Sequence, residues 1–544
     1  MNNRKVGLLA IGMCLLMIAT SFSGCVETET KMKIKNPDTI VYYTIGDPKT
    51  LDPADAYDTA SGEVIFSIYE GLITYKGSDT ETFYPSLATS WGVSDDSLTW
   101  TFNLRENVKF SNGNDFTAED VKYSFDRVLT MNAPESGVSW ILSQCMDTNS
   151  TKVIDDYTIE ITLTESYGGF LALLGYTVGY IVDKETVEEH GGVVADTENE
   201  WMKEHAVGTG PYMLDHWTHK TEVVLTKNDN YWGGWDGKHV DKVVIKTADE
   251  PATRILAIKN GDADFAYIPY ENLEDVDSEG VIVSAYDSYD VVLVILNTIS
   301  NNEYLAESEV RQALSYAFNY QSAIDDAYMG YMSRLPGTIP TGMPYYETQN
   351  NGVPVYDYDL TEAEKILDDA GYTKNDDGYR FNATTFRIFY NAGNAERLKM
   401  SLSFQQELTE IGIVSSVTTE GWPQLLHRMY STSDWDVIFM GWGPDYNDPD
   451  DYIAPFVGSA DIGQDTYNTG WKNETVDEMI LKAKYTTDQE ERSDAYQTAF
   501  DIYIHEPPMI FIGQRQYIRP MRDWVNGYSY NPVREWYWYD YYKE

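Results

Sequence analysis

Positive charge is scarce in this 544-residue chain: 39 Lys and Arg stand against 87 Asp and Glu, giving a net charge of −48. Such a surface repels nucleic acid and anionic lipid, draws in cations, and above all keeps the protein soluble. Nucleic acid is therefore excluded as a partner. Cysteine is nearly missing, with Cys14, Cys25 and Cys145 alone, so a disulfide-built scaffold is excluded. Seven histidines are present. His505, in "HEPPM", lacks the zincin spacing, and its prolines oppose a helix; His216 and His219, three apart in a strand-like stretch, point to opposite faces. G-x-S-x-G, H-E-x-x-H and the phosphate-binding G-x-x-x-x-G-K-[ST] do not occur, and "GTGPY" at 208–212 lacks the third glycine of a dinucleotide loop. No catalytic residue, cofactor or metal is expected. Beyond residue 20 no window is long and apolar enough to span a membrane.

What is present starts at the N-terminus. "MNNRKVGLLAIGMCLLMIATSFSGC" has a basic start, an apolar run from Val6 to Thr20, and small residues leading to Cys25. The run is short for a membrane span and fits a secretory leader. "FSGC" resembles a lipobox, so residues 1–24 are expected to be removed and Cys25 to carry a lipid anchor, with 25–37 as a tether. A plain leader with an incidental Cys25 is the other reading. Cys145 is then most simply a small buried apolar residue. With 42% apolar residues the remainder is long enough for two to four domains with sizeable cores. The 43 tyrosines and 14 tryptophans suit recognition surfaces as well as cores.

Strand-like and helix-like stretches interleave throughout, which reads as α/β or α+β. "SLTWTFNL" alternates, with Leu98, Trp100, Phe102 and Leu104 on one face, and forms a hairpin with the preceding "WGV" across "SDDS". "FTAEDVKYSFDRVL" opens a helix with Thr117 as N-cap. "DLTEAEKILDDAGY" is a second helix, with Ala363, Ile366, Leu367 and Ala370 on one face and Gly371 ending it. "VVLVILNT" and "WDVIFMGW" are too continuously apolar for a one-sided sheet and read as strands covered on both faces.

The stretch "GWGPDYNDPDDYIAPF", 441–456, follows the second of these and carries Asp445, Asp448, Asp450 and Asp451. As a calcium loop it starts well, but Pro449 takes the third ligand position and no glycine follows. As an acid/base pair it lacks a partner at recognisable spacing. Asp448, Asp450 and Asp451 also suit a turn that caps the following helix.

Several strings, in order, resemble the extracellular solute-binding proteins of family 5, the peptide- and nickel-binding subunits of ABC importers. They include "TLDPADAYD", "YPSLATSWGVSDDSLTWTFNLRENVKFSNGNDFTAEDVKYSFDRV", "VGTGPYMLDHW", "NDNYWGG", "RILAIKNGDADFAY" and "VRQALSYAFNYQSAI". The resemblance runs from about residue 40 to the C-terminus. It implies a two-lobed periplasmic-binding-protein-like fold, a Venus flytrap, with an extra domain inserted in the first lobe. Lobe I is expected at 38–83, 205–280 and 512–544, the inserted domain at 84–204, and lobe II at 281–511. Crossovers near 281 and 511 would form the hinge.

The resemblance also implies a site. In the family's peptide binders an aspartate in the "GW-x-x-D" context holds the peptide α-ammonium; here it is Asp445. The ligand lies extended against one short backbone stretch from each lobe, matching Tyr57, Asp58 and Thr59 in lobe I and Gly441, Trp442 and Gly443 in lobe II. Main-chain pairing supplies affinity while pockets tolerate many side chains. Gly441 and Gly443 allow close backbone approach; Trp442 is a pocket wall or a core residue. The basic side chains that neutralise a peptide carboxylate are not matched, since Glu396, Phe439 and Ile388 stand in their places. Arg387 points to the opposite strand face. Arg397, beside Glu396, is the substitute.

The expectation is a monomeric, lipid-anchored binding protein outside the cytoplasmic membrane. It would capture peptides for an ABC permease driven by separate ATPase subunits. The alternatives are another cationic or amine solute, a nickel complex, a module feeding a sensor, and a secreted hydrolase using the aspartates.

Overall fold

The computed structural model describes residues 32–132, 138–462 and 466–544. The leader, Cys25 and most of the tether lie outside the described residues. An eleven-stranded mixed sheet runs through the molecule. In spatial order its strands are Ser415–Glu420, Phe386–Asn391, Val437–Trp442, Val281–Leu296, Met509–Arg522, Phe265–Ala266, Thr39–Thr44, Lys242–Thr247, Glu222–Lys227 and Tyr212–Thr218. The strand Met332–Arg334 pairs on Met509–Arg522.

Two long antiparallel strands, Val281–Leu296 and Met509–Arg522, join the halves of this sheet. Val281–Asp287 pair with Gln516–Arg522, next to Phe265–Ala266 and Thr39–Thr44. Val291–Ile295 pair with Met509–Gln514, next to Val437–Trp442. The register shifts between Asp287 and Val291. An irregularity of this kind locally bends and twists a sheet, and here it falls where the strands change neighbours.

The apolar side chains sort into separate cores. One extends from Tyr289 to Ile512 and contains Val291–Leu296 and Val437–Met440, all nearly fully buried. Both continuously apolar stretches are thus central strands covered on two faces. A second core is built on a four-stranded antiparallel sheet, Ala88–Val93, Thr99–Leu104, Thr158–Thr162 and Thr151–Asp155, with helix Ala118–Met131 against it. The expected hairpin forms, with Trp91 opposite Phe102, and Phe102 and Leu104 face inward. The helix starts at Thr117, whose backbone N–H donates to Asp120 Oδ2 at 2.9 Å. Cys145 is a free thiol buried in this core, pushed up to about 12 by burial.

A third core gathers Ile40 and Tyr42 with the C-terminal Trp536, Trp538 and Tyr541. The two indoles stack at 4.4 Å, and Trp536 lies 4.6 Å from the Tyr42 ring. One local expectation differs. Helix Leu360–Asp369 buries Ala363 and Leu367, but it ends one residue before Ala370, which is exposed. Gly371 follows with φ +89°, turning the chain away before Ala370 can join the apolar face.

Candidate functional site

The second half of the sheet supplies one wall of the site. Gly441 pairs with Val292 and Trp442 with Val291, whereas pairing to Phe386–Asn391 on the other side stops at Ile438. Met440–Trp442 therefore present a backbone edge without a strand neighbour among the described residues. A Cβ on Gly441 would meet the Val291 carbonyl oxygen at 2.9 Å, and one on Gly443 would meet Asp290 Oδ1 at 2.9 Å. The first approach, against backbone, requires glycine, whereas the Asp290 carboxylate is the end of a flexible side chain and can give way.

The opposite wall comes from the first half. Asp58 caps helix Thr59–Ile65, accepting Ser61 N–H at 2.9 Å and the Ser61 hydroxyl at 2.7 Å. The preceding loop is anchored by a buried ion pair between Asp52 and Arg127. Across the gap, the Tyr57 hydroxyl donates to Asp445 Oδ2 at 2.7 Å.

Tyr57, Asp58, Thr59, Gly441, Trp442, Gly443 and Asp445 together line one cavity of about 310 Å³. Trp442 is both wall and core, meeting Phe456 and Tyr467 edge-on at 5.7 and 6.0 Å. Glu63, Asp290 and Glu535 also line it, so its charged side chains are five carboxylates, with no Lys, Arg or His.

Asp445 is 7% exposed, and burial pushes its carboxyl up to about 7, partly offset by the Tyr57 hydrogen bond. Behind it, the fully buried Asp451 accepts the Asp445 N–H at 2.9 Å. Burial first, and the Asp445 charge second, hold Asp451 well above the usual carboxylate range. Neither carboxylate has a Lys or Arg within 4 Å among the described residues. The other two aspartates of the loop differ. Asp448 pairs with Arg492 at 2.7 Å and accepts the Asp450 N–H at 3.0 Å. Asp450 accepts the hydroxyls of Tyr167 at 2.8 Å and Tyr446 at 3.1 Å and lies 3.8 Å from Lys484 Nζ. Tyr167 and Tyr446 both belong to the core of the four-stranded domain. Turn and cap describe Asp448; Asp450 fastens the loop, through Tyr167, to the core of the four-stranded sheet. No group of three or more His, Cys, Asp or Glu placed to hold a metal occurs among the described residues.

Arg397 is not among the residues lining the cavity. It lies in the first turn of helix Ala395–Glu410, donates to Asn391 Oδ1 at 2.6 Å, and comes close to Gly441, with Nη2 3.3 Å from where a Cβ would be. Phe439 and Ile388 are wholly buried in the core, and Arg387 is engaged by Asp434 and Asp436. Glu63, Asp290 and Glu535 escaped sequence reasoning. Glu63 sits inside the short helix after Asp58, and Glu535 directly precedes Trp536 in the C-terminal segment, with no motif around either. Asp290 had a faint signal: "SYD" interrupts the apolar run of its strand at the register shift.

The family model described as "Bacterial extracellular solute-binding proteins, family 5 Middle" matches residues 82–464. The probable D,D-dipeptide-binding periplasmic protein DdpA of Escherichia coli K12 is 28% identical over 506 residues, covering 92% of each chain. The glutathione-binding protein GsiB of Salmonella typhi is 30% identical over 478 residues, 85% of this chain and 86% of that one. Among solved structures, the ABC transporter-associated periplasmic binding protein DppA from Helicobacter pylori, in complex with peptide STSA, superposes with a TM-score of 0.76. It is 27% identical, over 93% of this chain and 98% of that one.

Proposed function

The chain belongs to the bacterial extracellular solute-binding proteins of family 5, and from that membership we propose that it captures peptides in the cleft between its two lobes. It has the two-lobed α/β fold of the periplasmic binding proteins. The observation that carries the reading is a carboxylate without a cation beside an open sheet edge. Asp445 receives the peptide α-ammonium, and Met440–Trp442 pair with the peptide backbone as an added strand. Closure excludes water and strengthens that ion pair. The protein catalyses no reaction; it hands its ligand to an ABC permease whose separate subunits hydrolyse ATP, working as a monomer anchored through lipid on Cys25. The partition proposed is lobe I at 38–83, 205–280 and 512–544, the inserted domain at 84–204 and lobe II at 281–511, with the change of sheet neighbours within the long strands falling at 287–291, a few residues past the 281 boundary. Flexing centres on the register shift at 287–291.

A second reading has one specific observation in its favour. The charged side chains of the cavity, all carboxylates, suit an amine or cationic solute that has no carboxylate. Native mass spectrometry of freshly purified protein, followed by calorimetry with peptides of two to nine residues, separates the two. Co-purified peptides and saturable binding of synthetic ones support the first reading. A co-purified non-peptide amine, with no heat from any peptide, contradicts it.

A further inference from the structure

A second cavity, of about 260 Å³, adjoins the first, and Thr59, Glu63, Asp290 and Glu535 line both. Its far side is formed by the strand Met509–Arg522, including Arg515 and Arg519. Arg515 is neutralised by Asp290, with Nη2 2.6 Å and Nε 2.9 Å from Oδ2. Arg519 is different. It is 3% exposed, and its Nε and Nη1 have no hydrogen-bond acceptor. No carboxylate lies within 4 Å of it among the described residues. Its remaining nitrogen donates to the Tyr517 hydroxyl. The rings of Tyr517, Trp536 and Tyr42 surround the guanidinium, at 4.3, 5.1 and 5.2 Å from its carbon. Such rings hold a guanidinium in place but supply no acceptor oxygen in the plane of its N–H groups. A buried donor left unmade is costly, so two on one cavity-lining side chain call for an acceptor from outside.

We propose that this second cavity takes an anionic group of the ligand, with Arg519 as its partner, and that in a peptide this group is the C-terminal carboxylate. The inference rests on the peptide-binding reading above. It gives the ligand two poles: ammonium at Asp445 in the first cavity, carboxylate at Arg519 in the second. The structural alternative makes Arg519 only the counter-charge of Glu63 and Glu535, the acids that face it. Burial, though, pushes Glu63 up to about 8 and Glu535 up to about 7 despite Arg519. Both acids are thus held toward their protonated forms near neutral pH. The pair leaves part of the guanidinium charge uncompensated, and that remainder favours an incoming anion. Glu63 is further occupied by the Tyr42 hydroxyl, which donates to Oε1 at 3.1 Å.

The test is calorimetry with alanine peptides of two to five residues, all with free amines, as C-terminal acids and as C-terminal amides. The acid-to-amide affinity ratio is measured for the wild type, Arg519→Gln and Arg519→Lys. Because the ratio is internal to each preparation, partial loss of folded protein does not distort it. The wild type should favour the acid of the best-bound length by about tenfold or more. Arg519→Gln should bring the ratio to about one, and Arg519→Lys should keep part of it. An acid preference unchanged in Arg519→Gln, or no preference in a wild type that binds both forms, overturns the inference and leaves the peptide reading standing. Should Arg519→Gln fail to fold, a full acid preference in Arg519→Lys, whose compact ammonium cannot reproduce the guanidinium geometry, overturns it equally. Binding of none of the probes fails the peptide reading, and this inference with it.

Discussion

Asp445 and Asp451 on one side, Asp448 and Asp450 on the other, share one loop, one side-chain chemistry and nearly the same burial, from 0 to 7% exposure. They differ in who supplies the cation. Arg492 meets Asp448, and Lys484 with two tyrosine hydroxyls meets Asp450, so this half of the loop is closed chemistry that ties it to the helices Glu474–Tyr485 and Gln489–Tyr503 and, through Tyr167, to the core of the four-stranded sheet. Asp445 and Asp451 have each other, one tyrosine hydroxyl and backbone, and they are held protonation-prone by burial. An ion pair completed within the protein reads as architecture; a buried carboxylate at a cavity wall with no such partner reads as a place for a ligand's charge.

The largest effect should break the closed half. Arg492→Met strands Asp448 in a buried position and should cost about 3–5 kcal/mol of unfolding free energy, read from urea denaturation. Asp445→Asn should leave the stability of ligand-free protein unchanged or raise it, because an unpaired buried charge is removed. Equal losses for both variants would erase the distinction between the halves.

A smaller effect sharpens the open half through pH. In the ligand-free cleft Asp445 holds its proton up to about pH 7, whereas an ammonium beside it favours the ionised form. Binding a free-amine peptide then releases a proton below that pH. Affinity should fall by about tenfold between pH 8 and pH 6, and much less in Asp445→Asn. Calorimetry in buffers of different ionisation enthalpy reads the proton directly; a profile that Asp445→Asn leaves unchanged would assign the titration elsewhere.

The smallest effect belongs to Tyr57. Its hydroxyl stabilises the ionised Asp445, so Tyr57→Phe should weaken free-amine peptide binding by about 1 kcal/mol, roughly fivefold, in the same calorimetric assay. A loss as large as that of Asp445→Asn would make the phenol, and not the carboxylate, the principal contact.

How far the sequence carried differs in the same way. Continuous apolar runs announced the two-sided strands, since Val291–Leu296 and Val437–Met440 have no polar face to expose. The hairpin at 88–104 and the start at Thr117 were legible because turn and cap chemistry is local. The cavity wall at 57–59 and 441–445 was legible only through the family's motifs, and its members are 388 residues apart at the Tyr57–Asp445 contact. Arg492, Lys484 and Tyr167 were not legible as partners of the loop, nor Arg519 as an unsatisfied donor. Each depends on long-range packing that leaves no periodicity or spacing in the chain. Arg397, chosen for its place beside Glu396, lies in the first turn of the helix that starts at Ala395, where it donates to Asn391 and comes close to Gly441.

The account turns on Asp445 as the partner of a ligand ammonium. Isothermal titration of wild type and Asp445→Asn with one peptide, in free-amine and N-acetylated forms, tests this most directly. The account predicts a loss of about 2–5 kcal/mol for the free-amine form and little change for the acetylated form. Equal losses for both forms, or none for either, would contradict it.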